Sequence, residues 1–364
     1  MLYLFSAVTS FFISFFGCWM ITRSSNLRKL GDIAPAEDRW HTQSTPGLGG
    51  VPIFFAVVFV ASISVGVTTI SLALFVSSLT LLTVGLFDDL RPVRPRVKLL
   101  VQLMGVVFFV TLMIVQIGVD DFYRYSAQVK TLVFMQLMMC MLWIVAMINA
   151  INLLDNMDGL AGGVAMIACT TIALIAGTDH LLPSTGLVYT ILAAAIFGFL
   201  VLNVNPAKLF MGDVGALWIG LAVGVGSVLV MPIDTVSSLT PVRIPSVSDW
   251  ILPLLICAVP VSDTLMVMVT RKLRGQAISV GGKDHLSHRL IAIGFSERCG
   301  VAILWGVAIV ASALAFLVHT FQPIVWIKPV SFFVLMLAAG VIGLVRATSI
   351  EHGACVAQFT ITSK

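Results

Sequence analysis

Apolar residues run along this chain in long unbroken stretches, separated by short polar interruptions. A hydrocarbon core about 30 Å thick takes about 20 helical residues to cross. The runs at roughly 2–21, 49–67, 70–87, 97–118, 131–151, 160–177, 186–203, 214–231, 249–270, 299–319 and 327–346 have that length and predict about eleven transmembrane helices. The expected fold is therefore all-α, a polytopic membrane protein. Neither an internal repeat nor a heptad pattern stands out, so a transporter built from two matched halves gains no support. The first run, Leu2 to Ile21, has no charged leading segment and no small-residue cleavage site. It reads as a retained helix, not a removed signal peptide.

Composition strengthens the membrane reading. Of 364 residues 59% are hydrophobic and 10% charged, whereas a soluble domain carries about a quarter charged residues. Mean hydropathy is +1.06. One membrane domain over 1–364 is expected, and a net charge of +4 gives no argument for nucleic acid. The placement of the basic residues says more. All but Arg124, Lys130, Arg243 and Lys328 of the 21 Lys and Arg residues gather in alternate loops and their flanks, or at the carboxyl end. The positive-inside rule makes those loops cytoplasmic, at about 22–48, 88–96, 152–159, 204–213 and 271–298. The amino terminus is then periplasmic and the carboxyl terminus cytoplasmic, which an odd number of spans satisfies. Cys18, Cys140, Cys169, Cys257, Cys299 and Cys355 are scattered without CxxC spacing and read as small packing residues.

Four polar segments fall at the same predicted membrane face. The first is Asp88–Asp89 in GLFDDLRPVRPRVKLL. Paired carboxylates at a membrane boundary repel unless a cation compensates, and either a metal or Arg91 and Lys98 would serve. The second, NAINLLDNMDGLAGG, interrupts an apolar helix with Asn149, Asn152, Asn156, Asp155 and Asp158. Read as one continuous helix, it places Asn149, Asn152, Asn156 and Gly159 on one face and the Asp155/Asp158 pair on an adjoining one. That polarity suits a hydroxyl-rich nucleotide and a metal; the plainer reading is polar glue between helices. The third, NVNPAKLFMGDVGAL, carries Asn203, Phe210 and Asp213, with Asp213 between glycines where phosphate can approach, or simply capping the next helix. The fourth, RKLRGQAISVGGKDHLSHRL, sets Arg, Lys, His285, His288 and Arg289 around a glycine pair, donors matched to a diphosphate. Its plainer reading is a basic face on anionic lipid. Zinc is disfavoured because His285 and His288 lack a third nitrogen or sulfur ligand nearby. Several carboxylates without soft ligands favour Mg²⁺ or Mn²⁺, which completes its shell with water and substrate phosphates. The constellation points to phosphoryl transfer between a soluble nucleotide and a membrane lipid.

The order DD, NxxNxxDxxDG, FMGD and DHxxHRL, from about Arg39 to Gly300, resembles the polyprenyl-phosphate N-acetylhexosamine-1-phosphate transferases, the family of MraY and WecA. The resemblance implies transfer of N-acetylhexosamine 1-phosphate, with GlcNAc the default sugar, from a UDP-sugar to undecaprenyl phosphate in the bacterial inner membrane, releasing UMP with Mg²⁺ as cofactor. It implies catalytic roles for Asp88, Asp89, Asp155, Asp158, His285 and His288. Lys98, Asn152, Asn203, Phe210 and Arg289 would contact substrate, with Phe210 against uracil, and Asp213 and Asp88 would hold the metal. RWHTQSTPGLGGVP, from Arg39 to Pro52, is similar to the loop that helps close the site. This chain departs from the pattern at Asn156, where the family commonly has Gly, and at Ser287, where many members carry another His. It also lacks the histidine-rich segment of the muramyl-pentapeptide enzyme, which places it nearer the WecA and TagO branch.

The expected reaction is a one-step displacement, because a phosphate monoester with a second pKa of roughly 6 is already mostly dianionic at neutral pH. Asp88 would then position or ligate instead of abstracting a proton; an aspartyl-phosphate route on Asp88 or Asp89 is the rival. UDP-MurNAc-pentapeptide, UDP-GalNAc and a 6-deoxy-N-acetylhexosamine are the other donors weighed, and a homodimer is left open. Outside this chemistry stand a CDP-alcohol phosphotransferase, a silent relative and a cation-coupled transporter. The transporter would need acids deep in the bilayer, where Asp263 is the one candidate, set between a role in opening a lipid groove and pairing with Arg271 or Lys272.

Overall fold

The computed structural model describes residues 1–30, 32–33, 45–117, 127–178, 182–231, 247–276, 282, 284–321 and most of 330–343. Among them the chain is helical apart from the turns that join the helices and one two-residue strand pair. The helices are α1 (Leu2–Arg23), α2 (Ser25–Leu30), α3 (Gly50–Ser64), α4 (Thr69–Leu90), α5 (Pro95–Ile117), α6 (Ala127–Leu154), α7 (Leu160–Thr178), α8 (Pro183–Asn203), α9 (Asp213–Leu229), α10 (Ile251–Ile256), α11 (Ala258–Leu273), α12 (Leu286–Ala292) and α13 (Glu297–Thr320). Strand β1 (Asp32–Ile33) pairs antiparallel with β2 (Thr45–Pro46).

Seven of these helices, α1 and α4 to α8 with α13, are long and apolar enough to cross a membrane. The protein is thus a polytopic, nearly all-helical membrane protein. The runs expected at 49–67 and 214–231 form the shorter apolar helices α3 and α9. The run at 249–270 is not the single helix expected. It divides at Cys257, between α10 and α11. Pro260 lacks an N–H and its ring crowds the carbonyl of residue 256, so α10 ends there. The last expected span, the carboxyl terminus, residues 39–44 of the first loop and Lys283 lie wholly or partly outside the described residues.

Helix α9 forms the axis of the bundle. Every residue from Val214 to Ser227 is buried, as expected of a helix that is apolar on all sides, and it packs against α3, α4, α6, α7 and α10. Close backbone approach makes this feasible, since a Cβ on Gly215 would lie 2.7 Å from the Gly50 Cα, and one on Gly220 2.7 Å from the Ile148 Cα. At the periphery, α1 buries a stripe of small residues, Ser6, Ser10, Ser14 and Cys18, spaced every four positions. Ser10 Oγ donates to the Ile191 carbonyl of α8 (2.9 Å), while Phe5, Phe12 and Phe16 on the other side of α1 are exposed, an apolar face suited to lipid. The ends of α4, α6 and α8 and the starts of α5, α7 and α9 meet at one end of the bundle, and the chemistry gathers there.

Candidate active site

The centre of the site is an ion cluster built from three helix ends. Lys98, in the first turn of α5, donates to Asp88 Oδ2 at the end of α4 (2.9 Å) and to Asp213 Oδ2 at the start of α9. Asp88 also accepts from the Val93 N–H (2.6 Å), which folds the loop after α4 back onto it. Asn152, in the last turn of α6, donates to Asp213 Oδ1 (2.8 Å). Asp88, Lys98, Asn152 and Asp213 thus converge from three of the four polar segments, which lie far apart in sequence. Of the two cations proposed to compensate the aspartate pair, Lys98 does so in this arrangement.

Asp89 has a different task. Its two carboxylate oxygens accept from the backbone N–H groups of Asp213 (3.1 Å) and Val214 (2.9 Å), so Asp89 satisfies the open amino end of α9 from another helix. The capping considered for Asp213 belongs to Asp89. Gly212 makes the juxtaposition feasible: with φ +70° it takes a left-handed turn, and a Cβ there would collide with the Gly47 carbonyl and stand 2.7 Å from Asp89 Oδ2. The loop before α3 closes over the same corner through backbone bonds, Phe210 N–H to the Pro46 carbonyl (2.8 Å) and Gly49 N–H to the Phe210 carbonyl (2.9 Å).

The NAINLLDNMDG segment departs from the continuous helix expected. α6 stops at Leu154 and residues 155–159 form turns, so Asp155 and Asp158 do not share a helical face. Gly159 has φ +75°, which no regular helix permits. The two readings of this segment divide along it. Asn149 exchanges hydrogen bonds with Gln102 of α5 (2.9 and 3.4 Å), a polar link between helices, whereas Asn152 reaches the ion cluster. Asp155 lies near enough to Asp89 for their charges to interact. Asp158, expected to be catalytic, is buried and accepts from the Ala207 N–H (2.8 Å) and Asn205 Nδ2 (3.2 Å). Asn203, expected at the nucleotide, is 3% exposed; it donates to the Leu209 carbonyl (2.9 Å) and accepts from the Gly159 N–H (3.0 Å). Both act here as braces that shape the loop between α8 and α9, because backbone N–H and C=O groups in a buried turn must find partners.

The histidine segment is anchored on α11. Asp263, 1% exposed, accepts from the Leu286 N–H (2.7 Å) and bonds His285 Nδ1 (2.7 Å), so it pairs with neither of the basic residues first considered for it. Arg271 pairs with Asp284 instead (3.4 Å). The His285 and His288 rings lie 5.8 Å apart and both are buried. Arg289, expected on the donor diphosphate, is 3% exposed and turned into the protein, with Nε on the Asp284 carbonyl (3.2 Å) and Nη2 on Thr270 (3.3 Å). The segment meets the acid side where Ser287 Oγ lies 2.8 Å from Asn156 Oδ1.

No group of three or more His, Cys, Asp or Glu among the described residues is spaced to hold a metal alone. Asp88 and Asp213, joined through one ammonium, supply the two carboxylates that suit Mg²⁺, whose remaining ligands are commonly water and substrate phosphate.

Residues 71–231, which carry the aspartate pair, the α6–α7 turn and Asp213, match the model of glycosyl transferase family 4. The chain is 32% identical over 329 residues to the probable undecaprenyl-phosphate N-acetylglucosaminyl 1-phosphate transferase of Bacillus subtilis, covering 87% of this chain and 86% of that protein. The chain belongs to glycosyl transferase family 4. Within this family it is also 31% identical over 298 residues to the decaprenyl-phosphate N-acetylglucosaminephosphotransferase of Mycolicibacterium smegmatis, covering 76% and 73% of the two chains. The phospho-N-acetylmuramoyl-pentapeptide-transferase of Streptococcus pyogenes is 29% identical over 344 residues, covering 85% and 96%. The family 4 model ends at residue 231, before Asp263 and the histidine segment. Sequence reasoning noticed Asp263 as a lone acid in an apolar run but had no means of pairing it with His285, 22 residues on. The link from Asn205 to Glu297 Oε2 (2.8 Å) and Arg298 Nε (3.1 Å) gave no signal at all.

Proposed function

We propose that this family 4 enzyme transfers N-acetylglucosamine 1-phosphate from UDP-N-acetylglucosamine to undecaprenyl phosphate. The observation that carries the reading is the convergence of Asp88, Lys98, Asn152 and Asp213, from four helices, on one polar point at the end of an apolar bundle. Two of the three named relatives carry both a polyprenyl phosphate and N-acetylglucosamine in their names. The basic loops at the site end support a cytoplasmic site in the bacterial inner membrane, a periplasmic amino terminus and eleven spans.

In this reading a phosphate oxygen of the lipid attacks the sugar-bearing phosphorus, one P–O bond forms, and the bond to the uridylate oxygen breaks to release UMP. Asp213 and Asp88 would hold Mg²⁺, which supplies charge stabilisation for the diphosphate. Lys98 holds the two carboxylates in register, Asn152 fixes the orientation of Asp213, and Asp89 fixes the start of α9 beneath both. His285, oriented by Asp263, and His288 are the donors assigned to phosphate oxygens. Phe210, on the loop clamped by Pro46 and Gly49, is assigned to the uracil ring.

The test is transfer of label from a panel of UDP-sugars to undecaprenyl phosphate by the purified enzyme with Mg²⁺. A lipid diphosphate sugar with matching UMP release, absent from Asp213→Asn, is the expected result. A folded preparation that turns over none of the panel would overturn the proposal.

A further inference from the structure

Two polar residues from separate motifs touch each other. Asn156 stands in the turn after α6 and Ser287 in the first turn of α12, 131 residues apart, and their side chains lie 2.8 Å apart. The polarity of the contact is determined. Asn156 Nδ2 donates to the Leu153 carbonyl (3.0 Å), which leaves Oδ1 as the acceptor and makes the Ser287 hydroxyl the donor. Ser287 is 1% exposed, so water does not readily replace the bond.

Position gives the bond its importance. His285, Leu286 and Arg289 are anchored to Asp263, Asp284 and Thr270, on the side of α12 towards α11. Ser287 reaches the other way, to a residue adjoining Asp155, whose charge acts on Asp89 under the ion cluster. The bond therefore bridges the histidine segment and the acid side. A residue without a side chain at 156 could not accept the bond, and one without a donor at 287 could not make it.

We infer that Ser287 and Asn156 are a positioning pair, which sets the place of the two histidines relative to the acid cluster without touching the reacting atoms. The inference rests on the proposed reaction for its kinetic consequence but not for its structural one. The full-length enzyme and the variants Ser287→Ala, Asn156→Ala, the double variant and Ser287→Thr are compared in detergent. Each alanine variant should lower kcat about tenfold, the scale of one buried hydrogen bond, with KM for the UDP-sugar changed by less than about twofold. The double variant should be no slower than the slower single one, because a shared interaction is lost only once. Ser287→Thr keeps the hydroxyl and should retain most of the turnover. Amide hydrogen exchange should rise in both 155–159 and 286–292 in Ser287→Ala. Parental kcat in Ser287→Ala, multiplicative losses in the double variant, or unchanged exchange in the 155–159 turn would each overturn the pair. Absence of turnover in the parental enzyme with every UDP-sugar would instead overturn the proposed reaction, leaving hydrogen exchange to decide the pair.

Discussion

Lys98 is the residue on which the acid cluster depends. Its ammonium serves Asp88 and Asp213 at once, and all three side chains are largely shielded from water. Removing one partner of a fully buried ion pair costs about 3–5 kcal/mol; the cost falls below that here, because water still reaches side chains that are 16–24% exposed. Lys98→Met should therefore lower the melting temperature in chelator, and added Mg²⁺ should recover more of the loss in this variant than in the parental enzyme; thermal unfolding with and without the ion checks both. Asp89 makes a separate prediction. Asp89→Asn keeps one good acceptor for the amino end of α9, whereas Asp89→Ala keeps none and should cost about 1–2 kcal/mol in denaturant unfolding, the range for a lost cap. At this scale the sequence was informative about which residues matter and less so about what each does. The neighbours Asp88 and Asp89 divide into an ion-pair partner and a cap because successive helical positions point about 100° apart, and what each would meet depended on an α9 that pattern alone could not place.

Helices were legible wherever their apolar runs were long, and misread where backbone chemistry overrode hydropathy. The NAINLLDNMDG segment kept its apolar rhythm past Leu154, yet Gly159 takes a positive φ and donates its N–H to Asn203, while Asp158 in the same turn accepts from Asn205 and Ala207. The run around Pro260 has the apolar length of a single span and instead divides, and that division places Asp263 on α11 opposite His285. Pro260→Ala should mend the helix across Cys257, shift Asp263, and lower turnover more than about tenfold while the protein remains folded; kcat beside a far-ultraviolet spectrum tests this. Gly220 belongs to the same scale, since any Cβ there meets the backbone of α6. Gly220→Val should reduce folded yield in membranes, measured by detergent gel filtration, because overpacking at a helix contact forces the backbones apart.

The molecule as a whole is an apolar bundle with its ion cluster and histidine segment at one end, and its orientation can be tested with an existing residue. Cys299, in the first turn of α13, is exposed, whereas Cys18, Cys140, Cys169 and Cys257 are buried. With Cys355 replaced by serine, a membrane-impermeant maleimide should label Cys299 in inside-out vesicles and not in intact spheroplasts; the reverse would place the site outside. The general architecture followed from composition and run length, but the meeting of 88, 98, 152 and 213 required three dimensions, since no spacing rule joins residues 125 positions apart. The ammonium between Asp88 and Asp213 has one more consequence. An enzyme that carries its own counter-charge can wait between turnovers with its carboxylates already aimed, so stripping divalent ions should leave it idle instead of unfolded, and activity should return on adding Mg²⁺ with no refolding delay.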